Sequence, residues 1–425
     1  MLNTWCRQGV SAIIFDMHLV LGVDAGGTSS RAALFTLDGT LVGRGQAGGA
    51  NPGALGMDTA AANLTAAVRA ALEPGSAQLP GTGAGTVVGV VVGLAGNPAL
   101  CATLAERVFC ALLPGAHLTG EPGVPGATPV RVMGDIVTAF AAGTPSPSGT
   151  VLISGTGAIA AKIVDHAPAG TADGYGWLLG DEGSAFWIGR AAARATIRAL
   201  TTPRPSPTRS GVDLVRDHEP NGTAHRPEPG RNETGGGREP GDSEADGCRS
   251  VCGEGGDREA GVRGAGENEA GVRGAGGGGR CGGWAGSGLL VKMVLRRLLP
   301  DGPGGDPGAR LAAAVHARPP LALAKLAPLV SEAAMGGDPV AVSIVAEAAS
   351  RLANSASRVH EPGLPLVLAG GVLTAEGPVR DAVRGLLEGA VTAGDPAGAA
   401  AWLAARPLLG PRASDELHHR FTRPG

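Results

Sequence analysis

Residues 19–35 constrain the fold more tightly than any other stretch of this chain. An apolar run, Leu19 to Val23, ends on the carboxylate of Asp24. Gly26, Gly27 and Thr28 follow, and apolar residues resume from Ala32 to Phe35. The pattern predicts a strand, a tight glycine turn and a second strand. Leu37-Asp38-Gly39-Thr40 predicts a hairpin turn into a third strand over 41–45. Glycines let the backbone approach a bulky anion and aim several N–H groups at it. A carboxylate at a strand end can hold Mg²⁺, directly or through water. Rossmann and Walker loops open a helix, whereas this turn opens a strand. The stretch therefore reads as the phosphate-binding hairpin of an ATP-dependent enzyme.

The remainder must supply a second jaw, and the chain is long enough for two lobes. Val130 to Met133 predicts a short strand ending in Gly134-Asp135, with a helix starting at Ile136. Thr150 to Ser154 predicts a strand closed by Gly155-Thr156-Gly157, and a further strand spans 158–164. A glycine–hydroxyl turn between two strands thus occurs twice. Helices are expected over 57–74, 99–113 and 185–200, separated by a strand at 87–94 and by the loop from Asp173 to Ser184. Beyond 288, helices are expected at 289–299, 309–317 and 322–335. A further helix is capped by Asp338 with Pro339 at its first position. Pro365 to Ala369 predicts a buried strand ending in Gly370-Gly371, and helices follow at 377–387 and 399–405.

Between about 201 and 288 the composition changes to Pro, Gly, Arg and Glu. Glu-Ala-Gly-Val-Arg-Gly-Ala-Gly occurs at 259–266 and again at 269–276. Such a segment buries too little apolar surface to offset its ordering entropy, so a disordered insertion is expected. Charged residues are 17% of the chain and the net charge is −3, which gives no polybasic surface for nucleic acid. No apolar run approaches about 18 residues, so no membrane span is indicated. The six cysteines, Cys6, Cys101, Cys110, Cys248, Cys252 and Cys281, are scattered. Cys248 and Cys252 lack a second ligand pair for a metal site. No disulfide framework is implied, which fits a reducing, cytoplasmic setting. Met17 directly precedes the first strand and is an alternative start.

Two strand–turn–strand units, an aspartate opening a helix and a late strand ending in Gly-Gly resemble the actin-like ATPase fold of sugar kinases, Hsp70 and actin. Asp173-Gly-Tyr-Gly-Trp-Leu-Leu-Gly-Asp-Glu-Gly-Ser-Ala-Phe-Trp187 narrows the match. It is similar to the loop of N-acetylglucosamine kinases in the BadF/BadG/BcrA/BcrD ATPase family. The resemblance covers about 19–200 and 289–405. It implies an α/β, two-lobed (ribonuclease H-like) fold in which helices flank a mixed five-stranded sheet in each lobe. The expected layout is an extension at 1–18, an N-terminal lobe at 19–125 and a C-terminal lobe at 126–405 interrupted by the insertion. An atypical tail occupies 406–425.

The same resemblance implies roles for individual residues. Asp135 corresponds to the catalytic base of phosphoryl transfer to a sugar hydroxyl. Asp24 corresponds to the Mg²⁺-associated carboxylate. Gly26, Gly27, Thr28, Gly155, Thr156 and Gly157 correspond to the phosphate turns, and Gly370 and Gly371 to the adenosine motif. Asn51 and Asp181 correspond to sugar contacts, with Gly174, Tyr175 and Gly176 near the 2-substituent. Trp177 and Trp187 read as packing residues. The cofactors would be ATP and Mg²⁺, the substrate an amino sugar phosphorylated at its 6-hydroxyl, and the assembly a homodimer. Two other functions remain open on this fold: a sugar-sensing regulator, and an ATPase activating a radical dehydratase, which would need cluster-binding cysteines. Three departures from the family stand out: Ala95 and Ala158 where serine is common, and Asp-Gly-Tyr-Gly-Trp where acetyl-sugar kinases carry Gly-Gly-Trp-Gly. After Leu408-Leu409-Gly410-Pro411 the expected small-residue helix gives way to Arg412-Ala-Ser-Asp-Glu-Leu-His-His-Arg, which would weaken domain closure.

Overall fold

The computed structural model describes residues 18–73, 85–118, 127–201, 288–302 and 304–423. The expected N-terminal extension and disordered insertion lie outside the described residues, as do Cys6, Cys248, Cys252 and Cys281. The described residues form one compact unit built on two sheets.

The first sheet contains β1 (His18–Ala25), β2 (Ser29–Thr36), β3 (Leu41–Gly48), β4 (Thr86–Leu94), β5 (Ala116–Leu118) and β6 (Thr128–Gly134), in the order β3-β2-β1-β4-β6-β5. The second contains β7 (Gly149–Ser154), β8 (Ala158–Val164), β9 (Ala167–Asp173), β10 (Leu366–Ala369) and β11 (Val391–Thr392), in the order β11-β10-β7-β8-β9. Each sheet pairs its leading strand antiparallel to a meander on one side and parallel to later strands on the other. The ends of β1 and β7, with their glycine turns, are therefore topological equivalents. Two details differ from the sequence reading. The first sheet has a sixth, three-residue edge strand, β5. The boundary expected at 125/126 falls too early: β6 pairs in parallel with β4, so it completes the first sheet. The changeover comes at the helix Asp135–Ala141.

Three apolar cores follow from this arrangement. One lies between the first sheet and the helices Met57–Leu72 and Pro98–Leu112, around Leu21, Leu64, Leu104 and Phe109. A second lies between the far sheet and the helices Ala185–Thr201 and Pro339–Ser357, around Leu152, Ile188 and Leu352. The third joins the two sheets and is built on Val20, Phe35, Phe140, Val151, Val367 and Trp402.

The helix Pro396–Leu409 fills much of this central core, with every residue from Ala397 to Ala405 buried. The structure thus places a small-residue helix before Leu408-Leu409 instead of after them. Small side chains let its backbone rest on β1. A Cβ added at Gly22 would lie 2.0 Å from the Ala397 carbonyl oxygen and 2.2 Å from the Ala401 nitrogen. The close approach fixes β1 two residues before Asp24. The tail, atypical in sequence, forms a further helix, Asp415–Thr422. Its Phe421 is fully buried against Phe35 (ring centroids 4.9 Å) and Trp402 (5.8 Å). His418 Nε2 lies 2.7 Å from the carbonyl oxygen of Ala141.

Pro407 sits inside the helix Pro396–Leu409. Proline has no N–H, so the carbonyl four residues earlier, that of the buried Leu403, loses its helical donor. The Arg131 guanidinium on β6 donates Nη2–H to that oxygen. One turn on, Arg406 Nη1 approaches the His166 ring (3.1 Å to Nε2) on the β8–β9 hairpin. Both sheets are therefore tied to one helix by polar contacts as well as by packing.

Candidate active site

The two glycine turns have a common construction. In the first, the Ala95 amide donates to the Ala25 carbonyl (3.0 Å) and the Ala50 amide to that of Gly26 (2.9 Å). In the second, the first amides of the helix Ala185–Thr201 take the turn's carbonyls: Ala185 to Gly155 (2.9 Å) and Phe186 to Thr156 (3.3 Å). Carbonyl oxygens that would repel an anion are thus tied back into protein. A Cβ added at Gly26, Gly27, Gly155 or Gly371 would meet nothing within 4 Å. These positions border open space, as a polyphosphate cradle requires. Gly370 has φ +81° and would drive a Cβ to 2.4 Å from the Ser154 oxygen, so glycine is required where β10 reaches the second turn.

Asp24 closes β1 and Asp135 is the first residue of the helix Asp135–Ala141. The charge of Asp135 adds to the cost of ionising Asp24. Asp24 keeps partial solvent contact at its surface, yet protein encloses its carboxyl. Burial, then the charge of Asp135, push it up to about 7, against the hydrogen bond from Thr138 and the charge of Arg31. Burial likewise raises Asp135 to about 6, partly offset by backbone N–H groups at the start of its helix. Thr138 Oγ1 lies 2.8 Å from Asp24 Oδ1 and 2.9 Å from the Asp135 carbonyl oxygen. Asp24 offers the single hard carboxylate that Mg²⁺ takes when phosphate oxygens and water complete its shell. Among the described residues no group of three or more His, Cys, Asp or Glu forms a protein cage for a metal.

The sugar-contact candidates divide. Asn51 caps the short helix Pro52–Leu55, its Oδ1 accepting from the amides of Gly53 (3.0 Å) and Ala54 (3.2 Å). It borders Gly96, where an added Cβ would lie 3.0 Å from Asn51 Oδ1. Asp181 is buried with φ +58°, and its Oδ1 accepts from the Ala158 amide at 3.1 Å. It therefore braces the second glycine turn, and burial raises its carboxyl above the ordinary range. Gly174, Tyr175 and Gly176 belong to a projecting loop in which Tyr175 is 68% and Leu179 79% exposed. Trp187 is buried beneath the Arg351 guanidinium (5.0 Å), and Trp177 meets Phe186 edge-on at 5.7 Å.

Two organising residues escaped the sequence reading. Asp173, at φ +66°, accepts backbone N–H groups from Gly174 (2.8 Å), Asp181 (2.8 Å) and Glu182 (2.7 Å), closing the loop on itself. Its signal was the Asp-Gly pair, the start of an Asx turn. The other is Thr138, whose partner Asp24 is remote in sequence.

Comparison with known proteins agrees with this construction. A candidate N-acetylglucosamine kinase from Chromobacterium violaceum superposes with a TM-score of 0.52 at 21% identity, covering 91% of this chain and 99% of that one. A second candidate N-acetylglucosamine kinase, from Porphyromonas gingivalis, gives 0.52 at 17% identity, covering 88% and 91%. Both show the two-lobed actin-like fold of sugar kinases. No curated protein sequence matches the chain at significant similarity. Among the described residues no single helix is long and apolar enough to cross a membrane. Residues 21–211, which hold both glycine turns, Asp24 and Asp135, match the model of the BadF/BadG/BcrA/BcrD ATPase family, and over that span the chain carries this family's signature.

Proposed function

We propose that the chain transfers the γ-phosphoryl group of ATP to the 6-hydroxyl of an amino sugar, with Asp135 as the base. One observation supports the reading: Thr138 lies within hydrogen-bond distance of the Asp24 carboxylate and the Asp135 backbone, and carbonyls of both glycine turns are tied back into protein. Held near 6, Asp135 is mostly ionised at neutral pH and still basic enough to accept the hydroxyl proton as the phosphoryl group leaves ATP. Asp24 lies on the nucleotide side, where Mg²⁺ bound with ATP would neutralise phosphate charge. Amide groups of Gly27 and Thr28 and of Thr156 and Gly157 would receive the phosphates from the two sheets, those of Gly26 and Gly155 being held by the carbonyls of Ser29 and Gly157.

On the sugar side, Asn51 has its Nδ2 donors left after Oδ1 caps its helix. Asp181 has the oxygen not used at Ala158. The loop from Gly174 to Leu179 would close on the sugar, and its Gly-Tyr-Gly sequence would set the preference at the 2-position. The descriptions of the two structural neighbours as candidate N-acetylglucosamine kinases support the substrate class.

An ADP-release assay over N-acetylglucosamine, glucosamine, N-acetylmannosamine, glucose and no sugar tests the reading. Turnover should require an amino sugar. ADP release that ignores sugar would instead mark a free-standing ATPase. Asp135→Asn should lower kcat by at least about a thousandfold while ATP still binds, and near wild-type turnover would remove Asp135 from the role of base.

A further inference from the structure

Thr138 is fully buried, and its hydroxyl has one proton facing two acceptors, Asp24 Oδ1 at 2.8 Å and the Asp135 carbonyl at 2.9 Å. The sheet is shaped to allow this. Gly93 on β4 is the lateral neighbour of Asp24 on β1. A Cβ there would lie 2.5 Å from Thr138 Oγ1, so the hydroxyl reaches Asp24 only across a residue without a side chain.

We propose that Thr138 is a positioning residue that fixes the Asp24 carboxylate for the metal-bearing nucleotide and ties it to the backbone that carries Asp135. The proposal rests on the assignment of Asp24 made above. An ionised Asp24 draws the single hydroxyl proton to Oδ1, and Oδ2 takes no part in that bond. A carboxylate with one oxygen so anchored keeps one rotamer, and the cost of ordering it is met before the metal arrives. Thr138 stands one turn after Asp135 on the same helix, Asp135–Ala141, so anchoring Asp24 to it links the two residues through that helix.

The test separates metal binding from nucleotide binding and from turnover. Mn²⁺ is titrated calorimetrically into full-length protein saturated with ADP, and ADP is titrated alone in chelator. Thr138→Val keeps shape and loses the donor, whereas Thr138→Ser keeps the donor. The expected result is a Mn²⁺ affinity lower by about tenfold in Thr138→Val and near wild type in Thr138→Ser, with metal-free ADP affinity unchanged in both. Unaltered Mn²⁺ affinity in Thr138→Val overturns the proposal. So does an equal loss in Thr138→Ser, or a wild-type protein that binds no Mn²⁺ with ADP. Should Thr138→Val not fold, Thr138→Cys takes its place, its thiol being a weak donor of similar size. Sugar turnover does not enter the readout. A wild-type chain that binds ADP and Mn²⁺ but phosphorylates no sugar refutes the kinase reading and leaves Thr138 in its role.

Discussion

Arg131 and Pro407 form a pair whose energetics can be measured directly. The buried Leu403 carbonyl has lost its helical donor to Pro407 and receives the Arg131 guanidinium instead. Arg131→Met keeps most of the apolar stem and removes the donor. The orphaned carbonyl should then cost about 2 kcal/mol, within the range of about 1–3 kcal/mol for a buried unsatisfied group. Pro407→Ala returns an N–H to the position that bonds Leu403. In that background Arg131→Met should cost well under about 1 kcal/mol, a coupling of about 1–2 kcal/mol. Urea unfolding of the four proteins of the cycle, followed by tryptophan fluorescence, measures it. With an m-value of about 3 kcal/mol/M, the single Arg131→Met change shifts the midpoint by about 0.7 M. Costs of Arg131→Met that agree within about 0.4 kcal/mol in the two backgrounds would mean that the carbonyl is not the partner that matters, and the reasoning fails. A second readout is His166, which burial, then Arg406 and Arg131, hold down at about 4. Its titration should move upward in Arg131→Met.

Other substitutions probe the site and the tail. Burial pushes the Asp24 carboxyl up to about 7 in the fold, well above the ordinary carboxylate range, so the metal-free fold loses stability as pH rises from about 4 to 7. Asp24→Asn should remove that loss, stabilising the metal-free protein by up to about 4 kcal/mol at pH 8 and by little at pH 4. A stability difference that does not vary with pH would contradict the placement of this carboxyl. Phe421→Ala should cost about 3–5 kcal/mol, because the ring is fully buried between Phe35 and Trp402. A cost below about 1 kcal/mol in chemical denaturation would show the terminal helix to be dispensable. Deleting 205–285 should leave the melting temperature and ADP affinity within error of wild type, and loss of folded protein would assign that segment a structural part.

Much of the fold could be read from period and punctuation. β4 is a nearly unbroken run of valines, and β1 and β7 end at glycines. The helices starting at Pro98 and Pro339 announce themselves by Asn97 or Asp338 followed by proline. β9 was not legible: Ala167 to Thr171 are all exposed, and a strand held at a sheet edge by backbone bonds alone needs no apolar pattern. The terminal helix buries only His418, Phe421 and Thr422. That is one helical stripe, hidden among the polar and charged residues of an atypical tail. Within the site, Asp24 and Asp135 were legible because strand ends and helix starts confine where a carboxylate can sit. Thr138 was not, since its partner lies 114 residues away and only the stacking of β4 beside β1 brings them together. Asp181 shows the converse. The string around it was specific, yet its hydrogen bond to Ala158 depends on how the loop folds back under Asp173.

The placement of the last two helices has a consequence for the order in which the molecule can be made. Phe35 and Gly22 belong to the first hairpin synthesised, but their partners are Phe421 and the backbone at Ala397 and Ala401. A nascent first sheet thus carries an uncovered apolar face until nearly the whole chain has left the ribosome. At about 5–20 residues per second, that interval is on the order of 20–80 s. Burying Phe35 also closes a loop almost as long as the chain, so this step should limit refolding as it limits biosynthesis. Premature termination between residues 158 and 395 would leave a polypeptide holding both glycine turns and lacking the surface that keeps them in register. Such a product is a substrate for chaperones and proteases, not a partially active enzyme.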